Sequence, residues 1–544
     1  MTPADVPVAN DAATDRHDAL TQIGRLYRNS RRLATELAGI ALGTSQASAP
    51  PDDWRFKDPA WTRHPYYRRL GQAYSASCAF ADGVLDDLAR TGRSTSAARF
   101  LLNVAESAAA PTNTFLGNPA AVKRAYETGG LSLLRGTRNL LDDVAHNGGM
   151  PSTVDRSAYQ VGRDLALTPG AVVDRDPCAE LIQYTPSTER VQARPVLIIP
   201  PPIGRYYFLD LRPGRSMVEY TVSRGLQAFM LSWRNPTREQ AGWTLDTYAE
   251  RVLSAIEAVR EITGAPDIDV IGFCAGGILL TLALNHLAAL GEEPVHSASY
   301  AVTLLDWGQE VPIKAFSASR LLALARWNSA RAGVISARDM GSAFTWMRPD
   351  DLVWKYWINN YLMGDKPPAF DILAWNADGT NLPAALHAQF LDIFEHNPLA
   401  TPGALTCLGA PVDLSTITVP TYVTGGVTDH LTPWTSCYRT TQLLGGPSTF
   451  VLSNAGHIQS LVNPPGNPKA SFYTGPELPP DPEAWLTGAE KHTGTWWTHW
   501  ADWVIARSSE TKAAPGRLGS TEHPPLDDAP GCYVRDIDPA DGRP

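Results

Sequence analysis

The segment Ile268-Asp-Val-Ile-Gly272-Phe-Cys274-Ala-Gly276-Gly277 decides how this chain folds. A short β-branched stretch ends at Gly272, Cys274 follows between glycines, and the apolar run Ile278 to Leu284 continues with a helix-like pattern. Strand, tight turn and helix in that order are the setting of a nucleophile elbow, with cysteine where serine usually stands. Gly272 and Gly276 suit a turn too tight for side chains on either flank. A thiol there projects from the first turn of a helix, where the dipole and unpaired N–H groups favour a thiolate. The competing reading is a small buried cysteine in ordinary strand–helix packing.

Outward from the elbow, strands and helices alternate from about Leu181. Val196 to Ile199 reads as a buried strand ended by Pro200-Pro201-Pro202, and Leu226 to Trp233 as the next. Leu245 to Ile262 places Tyr248, Val252, Ile256, Val259 and Ile262 on one helical face, closed by Gly264. Further strands are expected at Tyr300 to Leu305, Thr421 to Thr424 and Thr449 to Leu452. Such alternation predicts a mostly parallel sheet. Between Asp306 and about Ala400 the rhythm gives way to a helical, Trp-rich insertion placed to cap the site.

Four segments follow. Residues 1–50 read as disordered or marginally helical, 51–180 as a helical N-terminal domain, 181–507 as the catalytic α/β domain with a cap at about 306–400, and 508–544 as a flexible C-terminal tail. The expected fold is α/β: an α/β-hydrolase fold with a helical cap insertion, preceded by a mainly helical N-terminal domain.

A thiol nucleophile needs a base, and the base needs an orienting acid. In α/β-hydrolase folds these follow the nucleophile as acid, then histidine, each on a loop after a late strand. Tyr422-Val-Thr-Gly-Gly-Val-Thr-Asp429 presents Asp429 in this way, and Phe450-Val-Leu-Ser-Asn-Ala-Gly456-His457 presents His457. Of twelve histidines, His430 is the competitor, but its place beside Asp429 makes a relay awkward; His457 is favoured as base. An oxyanion hole would use the N–H of Ala275 and one from the Pro200–Gly204 loop. Proline has no N–H, so Ile203 or Gly204 offers the first donor there, and Ile203 is the candidate.

Cysteine also suits a particular chemistry. Attack of a thiol on a thioester exchanges one thioester for another and keeps the acyl group activated for delivery to a hydroxyl. The chain of 544 residues carries a net charge of −10, which gives no sign of a nucleic-acid surface. Its six cysteines include no C-x-x-C pair, so neither a zinc site nor a disulfide framework is expected, and a reducing cytosol fits. No secretion signal or membrane span is read in the sequence. Sixteen tryptophans are most simply core packing.

The chain resembles the polyhydroxyalkanoate synthases of the single-subunit class I or II type. The resemblance runs from about Asp58 to Trp503 and rests on many ordered segments. Among them are Pro111-Thr-Asn, Glu127-Thr-Gly-Gly-Leu-Ser132, Leu209-Asp-Leu-Arg-Pro213, Ser232-Trp-Arg-Asn-Pro236, Gly272-Phe-Cys-Ala-Gly-Gly277, Trp375-Asn-Ala-Asp-Gly-Thr-Asn-Leu-Pro383, Asp429-His-Leu-Thr-Pro-Trp434 and Gly456-His457. It implies polymerisation of (R)-3-hydroxyacyl-CoA into polyester, with CoA a released product and no cofactor or metal. Cys274 would carry the growing chain, His457 would act as base, and Asp429 would support proton removal from the 3-hydroxyl. Tyr207, His430 and Trp434 are candidate substrate-binding residues. A cytoplasmic homodimer on polyester granules is implied. The chain departs from the family at Pro202-Ile203-Gly204-Arg205, where Trp-Ile-Asn-Lys is usual, which bears on substrate preference. A cysteine-dependent esterase or thioesterase is the alternative, and a non-catalytic granule scaffold a further one.

Overall fold

A computed structural model describes residues 11–90, 95–308, 319–508 and 510–536. The chain divides into two units, Met1–Asp155 with Ala343–Pro368, and Arg156–Ser342 with Ala369–Pro544.

The first unit is helical. Its helices include α1 (Asp11–Leu42), α2 (Pro65–Ala89), α3 (Ser96–Ala109), α4 (Pro119–Glu127) and α5 (Leu131–His146). Asn118 caps α4 by accepting the N–H groups of Ala120 and Ala121, both at 3.1 Å. Helix α1 covers most of the segment expected to be disordered or marginally helical; Asn29 Nδ2 donates to Asp87 of α2 at 2.9 Å. Residues 1–10 lie outside the described residues.

Part of the expected cap belongs to this unit instead. Buried Asp143 accepts the Tyr361 hydroxyl at 2.7 Å, Asn139 Nδ2 donates to the carbonyl of Asn360 at 2.9 Å, and Trp357 Nε1 donates to that of Asn113 at 3.0 Å. Gly136 lets the Tyr361 carbonyl in so closely that a Cβ would lie 1.9 Å from it. Helical periodicity marked this stretch as helical without saying which body it packs against, so the cap at 306–400 is not one piece.

The second unit is built on an eleven-stranded sheet. Its strands are β1 (Gly170–Arg175), β2 (Ala179–Tyr184), β3 (Val196–Ile199), β4 (Ala228–Trp233), β5 (Ile268–Phe273), β6 (Val295–Ala301), β7 (Thr421–Gly426), β8 (Ser448–Ser453), β9 (Ser471–Thr474), β10 (Glu490–Thr493) and β11 (Asp527–Asp528). They lie in the order β10-β9-β8-β7-β6-β5-β3-β4-β2-β1-β11. The six from β8 to β4 are parallel, and antiparallel strands extend both edges. The central strands carry continuous apolar runs because both faces are covered. Every residue of Val196–Ile199 and Ile268–Phe273 is buried, and full burial of each Val or Ile stabilises by roughly 1.5–3 kcal/mol.

The helix Leu245–Thr263 (α6) buries Tyr248, Val252, Ile256 and Val259, and ends at Gly264 with φ +66°. The tryptophans of the helix Trp496–Ile505 are core: Trp500 Nε1 donates to Ser299 Oγ at 3.0 Å and Trp496 Nε1 to the Ser460 carbonyl at 2.8 Å.

Two expected boundaries are corrected. The α/β unit starts before residue 181, since β1 pairs antiparallel with β2; its six residues are too few to interrupt the helical texture upstream. The flexible tail is not a tail over residues 510–536. Thr511–Ala513 pairs with Arg190–Gln192, β11 pairs with β1, and the segment beyond is held by side chains of β2 and β3's following loop. Its Pro and Gly content suggested a chain unable to bury itself; long-range polar contacts hold it instead.

Candidate active site

Cys274 stands between β5 and the helix Ala275–Leu290 (α7), with φ +50° and ψ −122°. A non-glycine residue there is strained, and such strain is kept where the surroundings over-determine it. The surroundings are glycines. A Cβ on Gly272 would lie 2.6 Å from Gly277 Cα, and one on Gly276 would lie 2.3 Å from the Ile199 carbonyl oxygen. The Cys274 N–H donates to the Ala301 carbonyl at 2.9 Å, and its own carbonyl accepts from Thr303 Oγ1 at 3.1 Å. The backbone is pinned on both sides, and the thiol is half-buried.

Asp429 follows β7, and His457 begins the short helix after β8. The two strands are parallel neighbours, so their C-terminal loops meet. His457 Nδ1 lies 2.7 Å from Asp429 Oδ2. Asp429 Oδ1 accepts the N–H groups of Leu431 at 2.8 Å and Thr432 at 2.9 Å, and Thr432 Oγ1 donates to Oδ2 at 2.6 Å. With Nδ1 engaged by Asp429, His457 keeps Nε2 for a second partner, and Cys274 is near enough to act on its charge. Burial opposes charge on the imidazole, but Asp429 and Cys274 outweigh it and raise the pKa of His457 to about 10. Burial likewise opposes charge on Asp429, yet the neighbouring His457 and Thr432 hold its pKa below the ordinary value. The sequence candidates Cys274, His457 and Asp429 therefore meet in one place.

Two backbone amides face the oxyanion question. The Ala275 N–H heads α7, where no intrahelical acceptor exists. In the loop after β3, the Gly204 N–H is taken by Thr380 Oγ1 at 2.8 Å. Ile203 N–H has no acceptor among the described residues, so it is the free amide of the pair. Gly204 has φ +87°, and a Cβ there would come 3.1 Å from the indole of Trp375, which supplies an aromatic beside this loop from elsewhere in the chain.

The candidate substrate-binding residues are placed differently. Tyr207 is buried and its hydroxyl donates to Asp378 Oδ2 at 2.9 Å. The Trp434 ring lies near Phe450 and Trp485, each 6.4 Å away between centroids, in an aromatic cluster beside β7. His430 is half-buried next to Asp429. Sequence reasoning overlooked Thr432, which touches both Asp429 and His457 Nδ1, the latter at 3.1 Å. Its position three residues after an aspartate that accepts its N–H was the available signal.

An α/β-hydrolase sheet that brings Cys274, His457 and Asp429 together at the ends of its strands defines the class of molecule. Residues 52–221 match the family described as poly-beta-hydroxybutyrate polymerase (PhaC) N-terminus, and residues 211–464 match the alpha/beta hydrolase fold. The poly(3-hydroxyalkanoate) polymerase 1 of Ectopseudomonas oleovorans is 44% identical over 527 residues, 97% of this chain and 94% of that one. Polymerase 2 of the same organism is 45% identical over 508 residues, 92% of this chain and 90% of that one. The poly(3-hydroxyalkanoate) polymerase subunit PhaC of Cupriavidus necator is 38% identical over 503 residues, 91% of this chain and 85% of that one. The chain belongs to the poly(3-hydroxyalkanoate) polymerase family.

Proposed function

We propose that this chain is an acyltransferase that polymerises (R)-3-hydroxyacyl-CoA into polyhydroxyalkanoate through an acyl thioester on Cys274. The observation that carries the reading is the meeting of Cys274, His457 and Asp429 at the ends of three strands of one sheet, with His457 Nδ1 2.7 Å from Asp429 Oδ2. The Cys274 sulfur attacks the thioester carbonyl, and the N–H groups of Ala275 and Ile203 hold the oxyanion. The C–S bond to CoA breaks, and the proton on His457 goes to the departing CoA sulfur. The 3-hydroxyl of another hydroxyacyl group then attacks the enzyme thioester and gives its proton to His457, with Asp429 steering the imidazole. The C–S bond to Cys274 breaks, the acyl group passes to the hydroxyl as an ester, and the Cys274 thiolate is restored. No cofactor enters; CoA arrives with the acyl group and leaves as product. Water must be kept out, because hydrolysis competes at the second step.

Supplying (R)-3-hydroxybutyryl-CoA and longer homologues tests this. Thiol release with insoluble polymer is expected; thiol release with only free 3-hydroxy acid would favour a cysteine thioesterase. Cys274→Ala should keep the fold and lose turnover by a factor on the order of 10⁴ or more. Iodoacetamide near neutral pH should label Cys274 first. Burial pushes up the thiol pKa values of the other five, Cys78 and Cys532 to about 11 and Cys178, Cys407 and Cys437 further.

Among the described residues no helix is long and apolar enough to cross a membrane. The proposal places the protein in the cytoplasm as a homodimer on the surface of polyester granules. Exposed Leu131, Leu134, Leu141 and Val144 form an apolar stripe on α5 that supports contact with such a surface. Leu134→Glu with Leu141→Glu should shift the protein from sedimented polymer to the supernatant, and sedimentation velocity without polymer reads the dimer.

A further inference from the structure

The loop that carries the Ile203 amide is gripped from an unexpected place. Arg205, two residues on, is 4% exposed. Its backbone carbonyl accepts Trp375 Nε1 at 2.7 Å. Its guanidinium donates through Nη1 to the carbonyl of Tyr533 at 3.0 Å and through Nη2 to the carbonyl of Asp536. The nearest carboxylate oxygen, on Asp378, is 3.7 Å from Nε. Asn235 reaches the same Asp536 carbonyl at 3.5 Å while its Oδ1 accepts the Asn381 N–H at 2.8 Å.

The carbonyls of Tyr533 and Asp536 are presented by a segment that is itself anchored. Glu180, on β2, is fully buried, and its carboxylate accepts the N–H of Tyr533 at 3.0 Å, the N–H of Cys532 at 3.1 Å, the Cys532 thiol at 3.1 Å and Arg175 Nε at 2.8 Å. Gly531 has φ +79°, and a Cβ there would lie 2.4 Å from Glu180 Oε2, so the turn fits around the carboxylate only without a side chain. The Tyr533 hydroxyl donates to the Asp176 carbonyl at 2.8 Å. One buried acid fixes the C-terminal segment, and one buried base reads its carbonyls.

We propose that residues 526–536 are a strap that positions the oxyanion loop, with Arg205 as the positioning residue that couples them. This rests on the reading above, in which the Ile203 N–H holds the oxyanion. A planar guanidinium donating to two carbonyls on a fixed turn has one orientation, whereas the same buried charge without the strap would be left to Asp378 and would draw the loop toward another partner. Thr380 and Trp375 also hold the loop, through the Gly204 N–H and the Arg205 carbonyl. The strap completes the grip.

The test separates chemistry that needs an oxyanion from chemistry that does not. In the full chain, Arg205→Met should lower kcat for CoA release from (R)-3-hydroxybutyryl-CoA by about 10- to 100-fold, as expected for a displaced donor. KM and the rate of Cys274 alkylation by iodoacetamide, which forms no oxyanion, should stay within about twofold. Arg205→Lys keeps the charge but not the two-pronged fork, and should recover kcat only in part. An unchanged kcat in folded Arg205→Met overturns the proposal, and so does a parallel fall in alkylation, which would mean general damage. Should Arg205→Met not fold, Glu180→Gln loosens the strap at its anchor and must show the same split at smaller amplitude; an even loss or none overturns the idea. Failure of the functional reading looks different, because wild type would then release no CoA or Cys274→Ala would still turn over.

Discussion

The elbow at Gly272–Gly277 and the strap at Leu526–Asp536 are both short, glycine-containing segments that end at the same site, and they are held by opposite means. The elbow is fixed by what cannot fit: Cβ atoms on Gly272, Gly276 or Gly277 would collide with Gly277, with the Ile199 carbonyl or with Thr303. The strap is fixed by what must be paired: the buried Glu180 carboxylate and the buried Arg205 guanidinium. Steric specification is local and written in neighbouring residues. Electrostatic specification joins residues more than 300 positions apart.

Breaking the steric side should have the largest effect. Gly276→Val puts a branched side chain against the Ile199 and Pro200 carbonyl oxygens, 2.3 and 2.7 Å from the first added carbon. Because β3 and β5 are central strands, the clash has nowhere to relax, and a loss above about 4 kcal/mol is expected. Soluble yield and thermal denaturation would show it. A variant that melts within a few degrees of wild type would mean the elbow is looser than described.

Breaking the electrostatic side should cost somewhat less. Glu180→Ala removes the acceptor of two N–H groups and a thiol, and leaves Arg175 with Asp527. About 3 kcal/mol is expected. The loss should be confined to the C-terminal segment, so limited proteolysis would cut after about residue 514 while the rest of the chain stays intact. Uniform cleavage would contradict a local strap.

A third probe concerns the charge pair at the site. The folded pKa of His457 stands at about 10, above its ordinary value of 6.5. Its contribution to stability is therefore fully present below about pH 6.5 and is lost as pH rises through about 10. Between pH 7 and 9 wild type should lose stability relative to His457→Gln. Asp429, held low, adds the opposite dependence only in acid, as pH falls through its depressed value. Melting curves of both proteins at the two pH values decide the matter. Parallel behaviour would place the imidazole in a neutral state.

The same contrast explains what was legible in the sequence. Val196–Ile199 and Leu245–Thr263 were readable because their apolar spacing dictates strand and helix directly, and Gly264 marked the helix end. Cys274, Asp429 and His457 were readable as an ordered set because each follows a strand of the same sheet. The 343–368 segment and the strap were not. Nothing near Tyr361 announces Asp143 as its acceptor, and nothing near Tyr533 announces Glu180. Composition marks such segments as insertion or tail, since the groups that order them are remote.

The finest test of steric specification lies at position 274 itself, and it compares two variants that both lack the thiol. At φ +50° and ψ −122° any residue with a Cβ is strained by about 1–3 kcal/mol. Cys274→Ala keeps that Cβ, whereas Cys274→Gly removes it and relieves the strain. Against this, glycine gains freedom in the unfolded chain, which costs about 0.5–1 kcal/mol. The two effects oppose each other, and relief is the larger where φ is positive. Cys274→Gly should therefore melt slightly above Cys274→Ala, by about 1 kcal/mol or less. Both variants have lost the thiol beside His457, so that contribution cancels in the comparison. Should the alanine variant prove the more stable, the backbone at the nucleophile is relaxed, and its geometry is held by the hydrogen bonds to Ala301 and Thr303 alone.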